Sequence, residues 1–236
     1  MKNLKIFSFF ALFFSFAFFS CNSTAVEKDE SVQKLLKEGR YEEAKGLFIT
    51  KTDINSQDKN GDTALHVCAR INEADLIAFF AFKNADTEIE NADGDTPLLV
   101  AVKNDNIESA KVLIQMGANI FAKDAAENSA LQLALAKNEL WYEVMITEKT
   151  GQIRAINGDS IVHYFVRTDD EKAIDFCIKK QLPLSVKNKE GDTPLSLCYK
   201  RADETVPVRI AAALLQAGCD CERGDFAYFE DSVRTH

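Results

Sequence analysis

Short apolar stretches alternate with polar turns at a nearly constant interval along most of this chain. The clearest instance is Gly94-Asp95-Thr96-Pro97-Leu98-Leu99-Val100-Ala101-Val102, and versions of it begin at Gly61, Glu127, Gly158 and Gly191. The hydroxyl residues standing third in each version are Thr63, Thr96, Ser129, Ser160 and Thr193, separated by 33, 33, 31 and 33 positions. A period of that size predicts stacked supersecondary units rather than one sheet or bundle.

Each unit reads as two helices. A turn of Asn, Asp or Gly precedes the Thr or Ser, whose hydroxyl can accept from backbone N–H groups in the first turn of the following helix. Pro97 and Pro194 fall at a first helical position, where no intrahelical N–H is needed. A polar break such as Lys103-Asn104-Asp105-Asn106 ends that helix, and residues 107–116 form a second amphipathic stretch. Gly117 then supplies the left-handed conformation that closes a helix.

This pattern resembles the ankyrin repeat, over about residues 30–222. The carriers are the Thr-Pro-Leu-like openings at Thr63, Thr96 and Thr193, and the segments Asn84-Ala85-Asp86 and Gly117-Ala118-Asn119, which match the family's Gly-Ala-Asp segment in register. Proline is replaced by Ala64, Ala130 and Ile161, and only His66 and His163 occupy the family's histidine position. The resemblance implies an all-α ankyrin-repeat solenoid with hairpin turns, of about six units including an N-terminal cap. It also implies that turn tips and first helices line a concave face where partners bind, and that the histidines hydrogen-bond between adjacent turns.

Outside the repeats, residues 1–20 read as a signal peptide. Lys2 and Lys5 precede a 14-residue apolar run with eight phenylalanines, shorter than the roughly 20 residues of a spanning helix. Ser20-Cys21-Asn22 resembles a bacterial lipoprotein cleavage site, with Phe18 and Phe19 departing from its usual aliphatic and small residues, and it implies lipidation of Cys21. Residues 21–29 read as a polar tether, 30–51 as a capping repeat, 52–222 as repeats and 223–236 as a C-terminal cap or tail. Two irregularities stand out. The third interval, Ser129 to Ser160, is two residues short, and the turn just before it has Glu127 in place of the glycine, predicting a left-handed glutamate at a cost of about 1–2 kcal/mol. The fifth unit has extra residues around Lys200 to Val206, predicting a longer loop between its helices.

Charge narrows the partners. The net charge is -9, from 28 basic and 37 acidic residues, and becomes -11 without the two lysines of residues 1–20. That balance argues against nucleic acid and anionic lipid. Motifs for phosphate loops, zinc helices and nucleophile elbows are missing from the sequence, so the reading is no enzyme, no cofactor, no metal and no small-molecule substrate. Cys68, Cys177 and Cys198 fit core positions, whereas Cys219-Asp220-Cys221 is a weak redox signal.

What remains is a surface. Asp62, Asp95, Asn128, Asp159 and Asp192 precede the hydroxyl residues as one row; Arg70, Lys103, Lys137, Arg167 and Lys200 close the first helices as another. Paired rows of opposite charge would orient a protein partner, and the alternative is solvated charge at turns and helix ends. The expectation is a monomeric, non-enzymatic binding scaffold, anchored by lipid on Cys21 to the outer membrane or the outer face of the plasma membrane of a bacterium. An envelope stress or redox accessory using Cys219 and Cys221 is the alternative, and shielding of a toxic or secreted partner is a variant of the first reading.

Overall fold

In the computed structural model, residues 31–50, 53–200 and 208–219 are described. The chain runs α1 (Val32–Lys37), α2 (Tyr41–Thr50), α3 (Ala64–Ile71), α4 (Ala74–Phe82), α5 (Pro97–Lys103), α6 (Ile107–Gln115) and α7 (Ala130–Leu135). It continues through α8 (Leu140–Met145), α9 (Glu148–Gln152), α10 (Ile161–Thr168), α11 (Glu171–Lys179), α12 (Pro194–Lys200) and α13 (Val208–Gln216). Taken in pairs, with α9 as an addition, these helices make a cap and five units. No named strand occurs among the described residues; the turns carry hairpin-like backbone bonds and one isolated antiparallel bridge, Lys123 with Ser129.

Local chemistry starts each first helix where the hydroxyl pattern puts it. Thr96, Ser129 and Ser160 have extended backbone and accept through their side chains from Leu99, Gln132 and His163 amides, three residues on. Thr193 accepts in the same way from the Ser196 amide at 3.1 Å. Apolar positions then face inward: Leu98, Leu99, Ala101 and Val102 are fully buried, as are Leu113 of α6 and Phe80 of α4. A fully buried leucine or phenylalanine contributes about 1.5–3 kcal/mol. One repeat cannot bury such a face alone, so neighbours supply the other half of the core.

Two layers result. In the outer layer α4 packs on α6, α6 on α8, α8 on α11 and α11 on α13; in the inner layer α1, α3, α5 and α7 pack in succession and α10 packs on α12. Between α7 and α10 the inner layer is sparse, and α9 lies against both α6 and α10. The shortened third interval therefore does more than drop two residues. It cuts α8 to six residues and adds the five-residue α9, started by a reciprocal Thr147–Thr150 cap. As expected, Glu127 is left-handed, at φ +64°. The extra residues of the fifth unit at 201–207 and the C-terminal segment from 220 lie outside the described residues.

Candidate functional site

The hairpin face begins with the aspartates. Asp62, Asp95, Asp159 and Asp192 are only 1%, 7%, 4% and 8% exposed. Each is ion-paired to the cation eight residues later. Arg70 donates to Asp62 at 2.6 and 3.1 Å, Lys103 to Asp95 at 2.6 Å, Arg167 to Asp159 at 2.7 Å, and Lys200 to Asp192. This corrects the picture of two separate charged rows. A carboxylate held under a turn must be hydrogen-bonded to be tolerated there, and the first-helix cation folds back to do it. Burial alone would raise the Asp62 and Asp159 carboxyls, but bonds from Arg70 and Asn91, and from Arg167, Asn188 and Asn157, outweigh it and leave both below the usual carboxylate range.

The third unit breaks the rule. Eight residues after Asn128 stands Ala136, and Lys137, one position further, is exposed and donates at 3.5 Å to the Lys103 carbonyl. Lys103 itself bridges Asp95 and Asp124, at 2.6 and 3.2 Å. The cations Arg70, Lys103, Arg167 and Lys200 keep 37–56% of their side chains exposed, so the basic row remains accessible where the acidic row does not. Cys21 lies outside the described residues.

Hydrogen bonds between successive turns are distributed unevenly. His66 accepts at Nδ1 from the Thr63 amide, 3.0 Å, which assigns the proton to Nε2 and directs it to the Asp95 carbonyl of the next unit at 2.8 Å. His163 repeats this with Ser160 and the Asp192 carbonyl, at 3.1 and 2.8 Å. Both rings are buried, and burial holds their pKa below the ordinary imidazole value. In the cap Gln33 takes the same part, donating from Nε2 to the Asp62 carbonyl at 3.2 Å. Sequence reasoning missed it, although Gln33 lies 33 positions before His66. Leu99 and Gln132 hold the equivalent positions in the second and third units.

The turn tips follow suit. The Ala92 amide donates to the Asn60 carbonyl at 3.0 Å, and the Lys189 amide to the Asn157 carbonyl at 3.1 Å. These contacts are close enough that a Cβ at Gly61 would come within 2.7 Å of the Ala92 nitrogen, and one at Gly158 within 2.8 Å of the Lys189 nitrogen. The equivalent amides at Ala125 and Ile156 have no such partner among the described residues. Here a groove of about 1090 Å³ opens, lined by Phe121, Ile156, Tyr164, Gln132 and Arg167 among others. Ile156 is 93% exposed, and the Phe121 and Tyr164 rings sit 6.4 Å apart at 55°.

Comparison with known proteins fits this architecture. The family model described as ankyrin repeats (3 copies) matches residues 23–124. Over that span the chain matches ankyrin repeats, and the later units continue the same all-α two-helix stacking. An ankyrin repeat protein of fowlpox virus (strain NVSL) is 36% identical over 81 residues, covering 34% of this chain and 40% of its own length. A human SH3 and multiple ankyrin repeat domains protein is 27% identical over 96 residues, 39% of this chain and 5% of that one. The chain thus spans well under half of these relatives. Among solved structures, a chain in the complex of a predatory endopeptidase from Bdellovibrio bacteriovorus with an immunity protein aligns at 27% identity and a TM-score of 0.45, covering 79% of this chain and 97% of that one.

The four thiols among the described residues are all buried and free. Cys68 and Cys177 are fully buried and burial pushes both thiols up, away from the thiolate form that reacts. Cys219 is buried with its Sγ 3.6 Å from the Leu184 carbonyl, a packed position rather than an open redox one; Cys221 lies outside the described residues. Among the described residues no group of three or more His, Cys, Asp or Glu side chains could hold a metal ion, and no helix is long and apolar enough to cross a membrane.

Proposed function

We propose that this chain is a non-enzymatic scaffold that binds a partner protein on its hairpin and first-helix face, while lipid on Cys21 holds it at a bacterial envelope. The observation that carries the binding half is the open groove with Ile156 almost fully exposed beside Phe121 and Tyr164. Large apolar side chains gathered at a turn face mark a surface built to be covered. Of the exposed first-helix cations Arg167 lines it, and Arg70, Lys103, Lys137 and Lys200, which close the other first helices, would set register and association rate along the rest of the face. The aspartates beneath Arg70, Lys103, Arg167 and Lys200 support those cations and do not contact the partner. The anchoring half rests on the sequence from Lys2 to Asn22, and several acyl chains at about 0.8 kcal/mol per buried methylene would hold the domain firmly.

Mild cross-linking on intact cells, affinity capture and mass spectrometry test both halves. The expected result is one dominant protein captured, acyl groups on Cys21, and a Cys21→Ser variant that leaves the membrane fraction yet still binds that protein. Recovery of no protein overturns the binding half; a Cys21→Ser variant that fractionates unchanged overturns the anchoring half.

A further inference from the structure

Two backbone donors at the centre of the hairpin face lack the partner that their equivalents have. The Ala92 and Lys189 amides each reach the preceding turn, while those of Ala125 and Ile156 point to no acceptor among the described residues. Beside them lies an apolar floor. Phe121 and Tyr164 are half-buried and in ring contact, and the Tyr164 hydroxyl makes no hydrogen bond to a described residue. On the second-unit side the rim is acidic: Glu88 and Glu90 are exposed and neither has an ion pair among the described residues.

We propose that this notch takes an extended segment of the partner protein, carrying one bulky apolar side chain flanked by lysine or arginine. The inference rests on the scaffold reading above and adds the chemistry of the partner. Main-chain carbonyls of the segment accept from the Ala125 and Ile156 amides, as a strand does when it adds to an open edge. The apolar side chain packs on Phe121, Tyr164 and Ile156, where an aromatic anchor in a desolvated pocket carries most of the affinity. The flanking cation meets Glu88 and Glu90. A second copy of this chain is the poorer occupant, because its net charge of -9 would meet the same acidic rim.

The test uses the full chain in detergent with three peptides of sequence Gly-Gly-Lys-Phe-Lys-Gly-Gly, the same with both lysines changed to glutamate, and the same with phenylalanine changed to alanine. Titration followed by amide NMR should show the first binding at least tenfold more tightly than the other two, with downfield shifts at the Ala125 and Ile156 amides. Ile156→Glu should weaken it by at least tenfold while leaving the melting curve unchanged, since that side chain is in solvent. Equal binding of all three peptides, no binding, or shifts confined to other repeats would overturn the notch. Capture of the native partner from cells by Ile156→Glu as efficiently as by the unaltered chain would also overturn it while leaving the scaffold standing; no capture by the unaltered chain would sink the scaffold itself.

Discussion

The junctions of the first unit with the second, and of the fourth with the fifth, differ from the two junctions that the third unit makes. The first kind is closed along the hairpins, by His66 or His163, by a tip-to-tip backbone bond, and by Asn91 or Asn188 reaching the aspartate of the preceding unit at 3.0 and 2.9 Å. The second kind lacks those three links. Between the second and third units it keeps only the exposed-side contacts of Lys103 with Asp124 and of the Asn119 amide with Glu88 among the described hairpin residues, at 3.2 and 3.0 Å, and it gains ties in the outer layer. Trp141, fully buried, donates from Nε1 to Asp105 of the second unit at 2.8 Å, and the Tyr142 hydroxyl reaches Asp170 of the fourth at 2.9 Å. A repeat can thus lose the histidine, asparagine and tip-to-tip links of its hairpin and stay in the stack if its second helix takes over. The face left open becomes available for something else.

The largest test of that comparison is Trp141→Ala. It removes the biggest fully buried side chain and leaves Asp105 without its donor, so unfolding should become easier by about 3–5 kcal/mol; urea denaturation measures it. A loss under about 1 kcal/mol would mean that the outer layer is not what retains the third unit.

Next come the histidines. Both have a folded-state pKa below that of the unfolded chain, so their neutral form favours folding. That contribution is complete above the ordinary imidazole value of about 6.5 and is lost as pH falls below it toward the folded pKa. The melting temperature should therefore fall between pH 7.5 and pH 5, ahead of the carboxylate-driven loss below about pH 4. The drop should shrink in the His66→Gln, His163→Gln double variant, which should itself cost about 1–3 kcal/mol at pH 7.5 for each buried bond weakened. An identical pH profile in the double variant would assign the acid sensitivity elsewhere.

Glycine substitution separates the junctions directly. Gly61, Gly94 and Gly158 are all left-handed, at φ +73°, +76° and +83°, so alanine costs about 1–2 kcal/mol at each. At Gly158 the added Cβ also strikes the Lys189 nitrogen, whereas at Gly94 the nearest atom is 3.8 Å away. Gly158→Ala should therefore destabilise clearly more than Gly94→Ala in matched thermal melts. Equal losses would mean that the tips separate without cost. The smallest effect is a gain. Glu127→Gly relieves a left-handed glutamate whose only ion pair among the described residues is the exposed one with Lys123 at 2.8 Å. It should raise stability by about 1 kcal/mol, or roughly 2–4 °C in melting temperature.

Much of this was legible from spacing. The hydroxyl period placed the starts of α3, α5, α7, α10 and α12, and the missing glycine at 127 marked a left-handed glutamate, because backbone requirements of a repeated turn recur in the same register. The site was harder to read. Rows of Asp and of Arg or Lys are visible one at a time, but their union inside four of the five units depends on a side chain folding back over about two helical turns, which composition does not encode. Lys137 looked like a member of its row though it stands nine rather than eight residues after Asn128. Ile156 and Phe121 drew no notice because isolated apolar residues in turns are ordinary; only the gap left by Leu99 and Gln132, where neighbours have Gln33, His66 and His163, could have pointed to them.

Because four of the five acidic or amide turn positions find their counter-ion within their own repeat, the row along the hairpins is electrically balanced module by module. Such a design lets whole repeats be duplicated or deleted without accumulating like charge along one edge. The strongly negative character of the chain is then carried by residues outside these pairs, Glu88 and Glu90 among them, leaving the paired row itself indifferent to how many modules are present.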